Sequence, residues 1–294
     1  KQQDFRVQKQ RPALILAAKN NRKVLPTPVG FGVGGEENYY FSHLLNCIYD
    51  CRYCFLQGMY RSANYVLFVN YEDFEDEIVS LAREDSSRSP YFFSGYDSDS
   101  LALEDVSQFT EYFLPIFEKY EHATLELRTK SVAIRSLLAR PALKNVVVAF
   151  SLSPAVFAHA FDEKAPSIAR RLDAIKRLAE AGWPIGLRFD PLIYGARWQE
   201  HYQSLLDDIF SMGLHEQIHS VSTGPLRFPK SMHKRISNLY PESLLFAAPL
   251  EQNDGVVSYP PGIELEMKDF VHQRLAQEFD ATRVFHCQSE GGGS

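Results

Sequence analysis

The chain has 294 residues, 45% hydrophobic and 13% aromatic, with four cysteines and a net charge of −6. That composition supports a large core without metal or disulfide staples, and four thiols are too few for a secreted disulfide scaffold of this length. No apolar run reaches the roughly 18–20 residues of a membrane span, no apolar leader follows KQQDFRVQKQR, and the cysteine usage fits a reducing, cytoplasmic setting. Residues 1–23 hold seven cations against Asp4 alone, a net of +6 that leaves −12 for the rest. The acidic total argues against a surface coated with phosphate-binding groups. The basic arm keeps a local nucleic-acid contact open, beside the plainer reading of a solvated terminus.

After the arm and a Gly/Pro loop, together 1–37, short apolar runs alternate with amphipathic stretches. The predicted strands are Tyr39–Leu45, Tyr65–Asn70, Tyr91–Ser94, Thr124–Thr129, Val146–Leu152, Ile185–Pro191 and Ile218–Thr223. The β-branched runs YVLFV and NVVVAF suit strands covered on both faces. Helical periodicity marks EDFEDEIVSLARE, LEDVSQFTEYFLPIFEKY with a kink expected at Pro115, VAIRSLLAR, SIARRLDAIKRLAEAG and RWQEHYQSLLDDIFSMG. The last two are closed by glycine. Such strand–helix alternation predicts an α/β fold with a parallel sheet, a barrel or partial barrel whose active-site residues sit at the C-terminal ends of the strands.

The most specific motif follows the first predicted strand: Cys47-Ile-Tyr-Asp-Cys51-Arg-Tyr-Cys54, spaced C-x3-C-x2-C. Three thiolates on one loop can wrap a compact soft-metal centre, and a four-iron cluster held by three of them leaves one iron open to an exogenous ligand. Structural zinc wants four ligands, and His43, four residues ahead, would complete a Cys3His set.

The spacing, the aromatic Tyr53 before the last cysteine and the position after a first strand resemble the radical S-adenosylmethionine (SAM) superfamily. Within it, CRYCFLQ resembles the C-x-Y-C-Y-L-Q segment of the spore photoproduct lyase family. FFSGYDSD, LRTKSVAIRSLL, VVVAFSLSP, RRLDAIKRLAEAGWPIGLRFDPLI and RFPKSM resemble further family blocks in the same order, so the likeness spans residues 38–240. The resemblance implies a partial (β/α)6 TIM-like barrel over 38–240 with N- and C-terminal extensions, 1–37 and 241–290; residues 291–294, GGGS, read as a linker remnant. It implies a [4Fe–4S] cluster on Cys47, Cys51 and Cys54 whose open iron chelates SAM. A one-electron donor such as flavodoxin or ferredoxin would then drive cleavage of SAM to methionine and a 5′-deoxyadenosyl radical that abstracts hydrogen from substrate. By the same resemblance Ser98 and Asp99 contact SAM, Asp99 toward its ribose hydroxyls. Lys130 and Ser151 end predicted strands, placed to meet the SAM carboxylate. Arg188 and Asp190 alternate with Leu187 and Phe189 and so face the barrel interior, as a functional pair or a structural one.

The pattern departs from the family in one place. There a cysteine on the strand after the cluster helix donates hydrogen to the product radical; this sequence has Tyr96. The relay tyrosine just after the last cluster cysteine is Phe55, whose ring has no exchangeable hydrogen, while Tyr53 remains. Two changes in one relay predict an enzyme that keeps the radical generator and acts on another target, a small molecule, peptide or nucleic acid. Reversal of a thymine photoproduct is the alternative, and a non-catalytic zinc module the second. Cys287, beside His286, is an idle thiol by default, or a hydrogen donor if the tail folds over the barrel mouth. Gly30-Phe-Gly32-Val-Gly34-Gly35 satisfies G-x-G-x-x-G on paper but leads into a predicted strand, against a dinucleotide fingerprint. RFPKSMHKR, Arg227–Arg235, reads first as a solvated helix face and second as a phosphate contact.

Overall fold

The computed structural model describes residues 4–28, 32–33, 37–84 and 88–286; Gly30, Gly34, Gly35 and Cys287 lie outside them. At its centre is an eight-stranded sheet whose spatial order follows the chain. An antiparallel edge strand, Val24–Pro26, is followed by seven parallel strands: β1 (Asn38–Phe41), β2 (Tyr91–Ser94), β3 (Thr124–Thr129), β4 (Val146–Ser151), β5 (Ile185–Leu192), β6 (Ile218–Pro225) and β7 (Val284–His286). The two outer strands do not pair with each other, so the sheet is an open partial barrel. The N- and C-terminal extensions each give it one edge strand.

The expected parallel core follows from burial on both faces. Val146 to Phe150 are fully buried, as a central β-branched run requires. The outer layer includes the helices Tyr71–Glu84, Phe109–Lys119, Ile168–Glu180 and Trp198–Ser211. In Ile168–Glu180 the Ser167 hydroxyl caps the first turn by accepting from the Arg170 amide, Ile175 and Leu178 reach the core, and Gly182 takes φ +90° to end the run. Truncating a side chain placed like Leu178 costs about 2–5 kcal/mol.

Four expectations change, the first being that the run expected as one strand over Tyr39–Leu45 divides into Asn38–Phe41 in the central sheet and Leu44–Leu45 in a smaller one. The strand expected over Tyr65–Asn70 ends at Phe68 and belongs to a separate three-stranded sheet between Leu14–Ala17 and Leu44–Leu45. The helix around Pro115 breaks instead at Gln108, at φ +50°, where the Glu104 carboxylate accepts from the Thr110 amide; Pro115 stays inside Phe109–Lys119. In VAIRSLLAR only Arg135–Leu138 is helical, because Thr129 and Ser131 hydroxyls accept from the Ser131 and Ala133 amides and hold the preceding turn open.

Residues 4–23 of the basic N-terminal arm are also built into the fold. Asp4 caps a helix, Phe5–Gln10, and Leu14–Ala17 pairs in parallel with Tyr65–Phe68. No described helix is long and apolar enough to cross a membrane.

Candidate active site

The cysteine loop crosses the C-terminal rim of the half-barrel and is fixed by backbone pairing. Asp50 and Cys51 pair antiparallel with Glu163 and Asp162, and the Arg52 amide donates to the Phe161 carbonyl at 2.8 Å. The Cys54 amide donates to the Cys51 carbonyl at 3.1 Å and opens the short helix Leu56–Met59. Cys51 is buried, Cys47 and Cys54 half-buried. Burial pushes all three thiols up, so deprotonating them calls for positive charge nearby. Three soft donors from one loop suit a cluster with an open iron. They do not suit the zinc set: His43 stacks on Phe109 at 4.1 Å, meets Tyr71 edge-on, and is held neutral by burial, its pKa lowered to about 3. Among the described residues no three His, Cys, Asp or Glu side chains, the three thiols included, are grouped as a metal ion requires, and His43 does not join the thiols.

A chain of polar contacts links the expected site residues. The Tyr53 hydroxyl donates to one Asp162 oxygen, and the buried Arg171 donates to the other at 2.7 Å. Arg171 also donates to the Ser151 carbonyl at 2.9 Å. The Lys130 ammonium lies 5.3 Å from the Tyr53 ring centre. Burial opposes its charge, but Cys51 and Asp162 outweigh that and raise its pKa. Cys51, Tyr53, Lys130 and Ser151 thus share one neighbourhood.

The loop after β2 completes it. Gly95 takes φ +74°, and a Cβ there would lie 2.6 Å from the Ser100 hydroxyl. Asp99 is turned inward: it accepts from the Thr129 hydroxyl (2.6 Å) and from the Lys130 (2.6 Å) and Leu101 (3.0 Å) amides, so it welds this loop to the end of β3. Burial raises its pKa and these bonds counter it. The Ser98 hydroxyl is buried with no protein partner.

Arg188 and Asp190 do not form the expected interior pair. Arg188 donates to Glu126 (3.1 and 2.7 Å) and to the Ser220 hydroxyl (2.9 Å), deep in the sheet. Burial would raise the Glu126 carboxyl, but Arg188, Arg128 and the Tyr91 hydroxyl hold it at about 2. Gly186 makes room, since a Cβ there would lie 2.8 Å from the guanidinium. Asp190, half-buried at the rim, accepts from Arg227 at 3.3 Å on each oxygen. The segment Arg227–Arg235 is therefore not simply a solvated face: Arg235 also donates to the Gly58 carbonyl at 2.8 Å.

Tyr96 and Phe55 are brought together, with ring centres 5.9 Å apart, and Tyr40 lies 4.3 Å from Tyr96. Tyr60 bonds the neighbouring Asp97. Behind the cysteine loop is a second network that sequence reasoning missed. Lys9 donates to Asp50 at 2.6 Å and to Gln57. The Tyr240 hydroxyl donates to the same two side chains, and the Arg52 guanidinium stacks 4.0 Å over the Tyr240 ring.

Comparisons with known proteins agree with this architecture. The family model for spore photoproduct lyase matches residues 37–259. The curated spore photoproduct lyase of Bacillus subtilis (strain 168) is 22% identical over 202 residues, 68% of this chain and 59% of the relative, so the match spans about three fifths of that protein's length. That of Geobacillus sp. (strain Y412MC61) is likewise 22% identical over 207 residues, with the same coverage. Among solved structures, a substituted spore photoproduct lyase with bound AdoMet and dinucleoside spore photoproduct superposes with TM-score 0.81 at 18% identity, covering 97% of this chain and 84% of that one. The chain belongs to the spore photoproduct lyase family, within the radical SAM superfamily.

Proposed function

We propose that this protein is a radical SAM enzyme in which Cys47, Cys51 and Cys54 hold a [4Fe–4S] cluster and the surrounding rim holds SAM. The observation that carries the reading is the placement of Cys51 and Cys54 beside Lys130 and Tyr53, with Cys47 on the same loop, at the C-terminal rim of a parallel half-barrel. When bound, the group supplies one-electron cleavage of SAM to methionine and a 5′-deoxyadenosyl radical that takes hydrogen from substrate. Lys130 is the point charge for the SAM carboxylate, with Ser151 beside it, and Ser98 offers a hydroxyl. Asp190 sits at the rim. Asp99 and Arg188 act by holding the loop and the sheet, since their polar atoms are already engaged. Tyr53 orients the cysteine loop through Asp162. Tyr96 is the hydrogen donor to the product radical, with Cys287 as the other donor the chain offers. A flavodoxin- or ferredoxin-type carrier supplies the electron, in the cytoplasm.

The test is anaerobic reconstitution with iron and sulfide, reduction, and assay of 5′-deoxyadenosine. Formation of the nucleoside supports the reading; a zinc-loaded protein without sulfide sinks it.

A second reading, lysis of a thymine photoproduct in DNA, is favoured by the family match over residues 37–259 and by the relative solved with dinucleoside spore photoproduct. Against it stand Tyr96 and Phe55 at the relay positions. Reduced protein, SAM and ultraviolet-irradiated DNA decide between them. Thymine restored by wild type and not by Cys47→Ala establishes the second reading; none restored while SAM is cleaved leaves the first, with another substrate.

A further inference from the structure

Away from the cysteine loop, a cavity of about 250 Å³ lies between the short helix Glu104–Ser107 and the turn after β3. Gln108, at φ +50°, turns the chain and leaves that helix facing residues 132–136. The walls carry the carboxylates of Glu104, Asp105 and Glu111 and the guanidinium of Arg135, beside apolar Val132 and Ile134. Arg135 is spent on Asp105, at 3.1 Å. The charge left over is that of Glu104 and Glu111.

Glu104 is the unusual member, because it is only 6% exposed. Its Oε1 accepts from the Thr110 amide at 3.0 Å, from the Thr110 hydroxyl and from the Ser136 hydroxyl at 3.3 Å. Three donors on one oxygen suit an ionised carboxylate; burial raises its pKa and these bonds counter it. The other oxygen, Oε2, is buried with no hydrogen-bond partner among the described residues. Holding the turn at Gln108 uses Oε1 alone, so the fold accounts for only half of this side chain. A buried acceptor without a donor is rare in native proteins and calls for an occupant.

We propose that this cavity binds a small primary aliphatic amine whose ammonium donates to Glu104 Oε2. The inference is independent of the proposed radical SAM function. An ammonium is a compact point charge that a single oxygen can receive. A guanidinium fork asks for both oxygens of a carboxylate, and Oε1 is already engaged. A divalent metal ion asks for about six converging oxygens, and Asp105 is held by Arg135. Val132 and Ile134 offer apolar surface to the methylene chain, and the exposed Glu111 adds attraction at longer range. The volume falls below the roughly 300–1,000 Å³ of sites for drug-sized ligands, which suits a short chain. Asp99 joins the two walls by accepting from the Leu101 and Lys130 amides, so the cavity adjoins the rim that carries Lys130.

The experiment is titration of the full chain with butylamine, followed by amide chemical shifts, with butanol and butylguanidinium as controls of equal length. Wild type should show saturable shifts over residues 104–110 and 132–136 with a Kd of about 10 mM or tighter. Butanol should give none, and butylguanidinium should bind about tenfold more weakly. Glu104→Gln keeps an oxygen for Thr110 and Ser136 but removes the charge, and should weaken butylamine by about tenfold or more. Should that variant fail to fold, Glu111→Gln carries the test, with an expected loss of about two- to threefold that high salt erases. Wild type without saturable shifts, or shifts confined to other segments, would overturn the proposal. So would undiminished binding in the folded variant, butylguanidinium binding as tightly as butylamine, or magnesium ion displacing the amine one for one.

Discussion

Two ionic networks lie within the same half-barrel and do different work. In the sheet, Glu126, Arg188, Tyr91 and Ser220 come from β2, β3, β5 and β6, and the pair at its centre is almost wholly buried, with side-chain exposures of 0% and 1%. Behind the cysteine loop, Lys9, Asp50 and Arg52 keep side-chain exposures of 19%, 11% and 16% beside the buried Tyr240, and Lys9 comes from the N-terminal extension. The first network is inseparable from the fold, because every partner is a strand residue in fixed register. The second ties a chemically demanding loop to the N-terminal helix and the end of Lys230–Leu239. Barrel and loop therefore respond to different perturbations.

The largest expected effect is in the sheet. Arg188→Met strands Glu126 in a dry interior and should cost on the order of 3–5 kcal/mol in urea unfolding. Replacing Glu126 with Leu in the same protein should recover much of that loss. If the single variant unfolds like wild type, the sheet network is not structural.

Acid should separate the regions next. Glu126, held at about 2 against an ordinary 4.5, contributes stability above pH 4.5 that is lost as pH falls toward 2, on the order of 3 kcal/mol in all. His43 is neutral in the fold with a pKa of about 3 against an ordinary 6.5, so its contribution is present above pH 6.5 and lost as pH falls toward 3. Unfolding midpoints from pH 7 to pH 4 should fall less steeply in His43→Phe than in wild type; parallel curves would place that loss elsewhere.

The loop network predicts a smaller effect on stability and a more local one. Lys9→Met should cost about 1–2 kcal/mol and speed amide exchange over residues 47–57, leaving the strands protected. Exchange that rises equally in β3 and β4 would merge the two networks into one. At the bottom of the scale, Arg135→Ala removes an ion pair with side chains 90% and 77% exposed and should change stability by less than about 0.5 kcal/mol.

What could be read from the sequence follows the same division. Strands β2 and β3 coincide with their predicted limits because their apolar pattern is local, and the glycines that close the helices before Gly182 and Gly213 carry their own signal. The apolar run marked Tyr65–Asn70 as a strand, two residues too long, but cannot name its neighbour, so its separate sheet was not legible. Arg188 was expected against Asp190, two residues away, and found Glu126, 62 residues away. The alternation of Glu126 and Arg128 with Leu125 and Leu127 is the signal that could have exposed it. Lys9, Asp50 and Tyr240 meet across 41 and 190 residues, with no local pattern to announce it. The cysteine spacing was legible because one loop carries it whole.

The central claim, that three of the four cysteines build the reactive centre, is tested most directly by single alanine variants. After anaerobic reconstitution and reduction with SAM, Cys51→Ala should lose cluster absorbance and form no 5′-deoxyadenosine, while Cys287→Ala keeps the cluster and still forms it. Retained nucleoside formation in Cys51→Ala, or cluster loss in Cys287→Ala, would contradict the account.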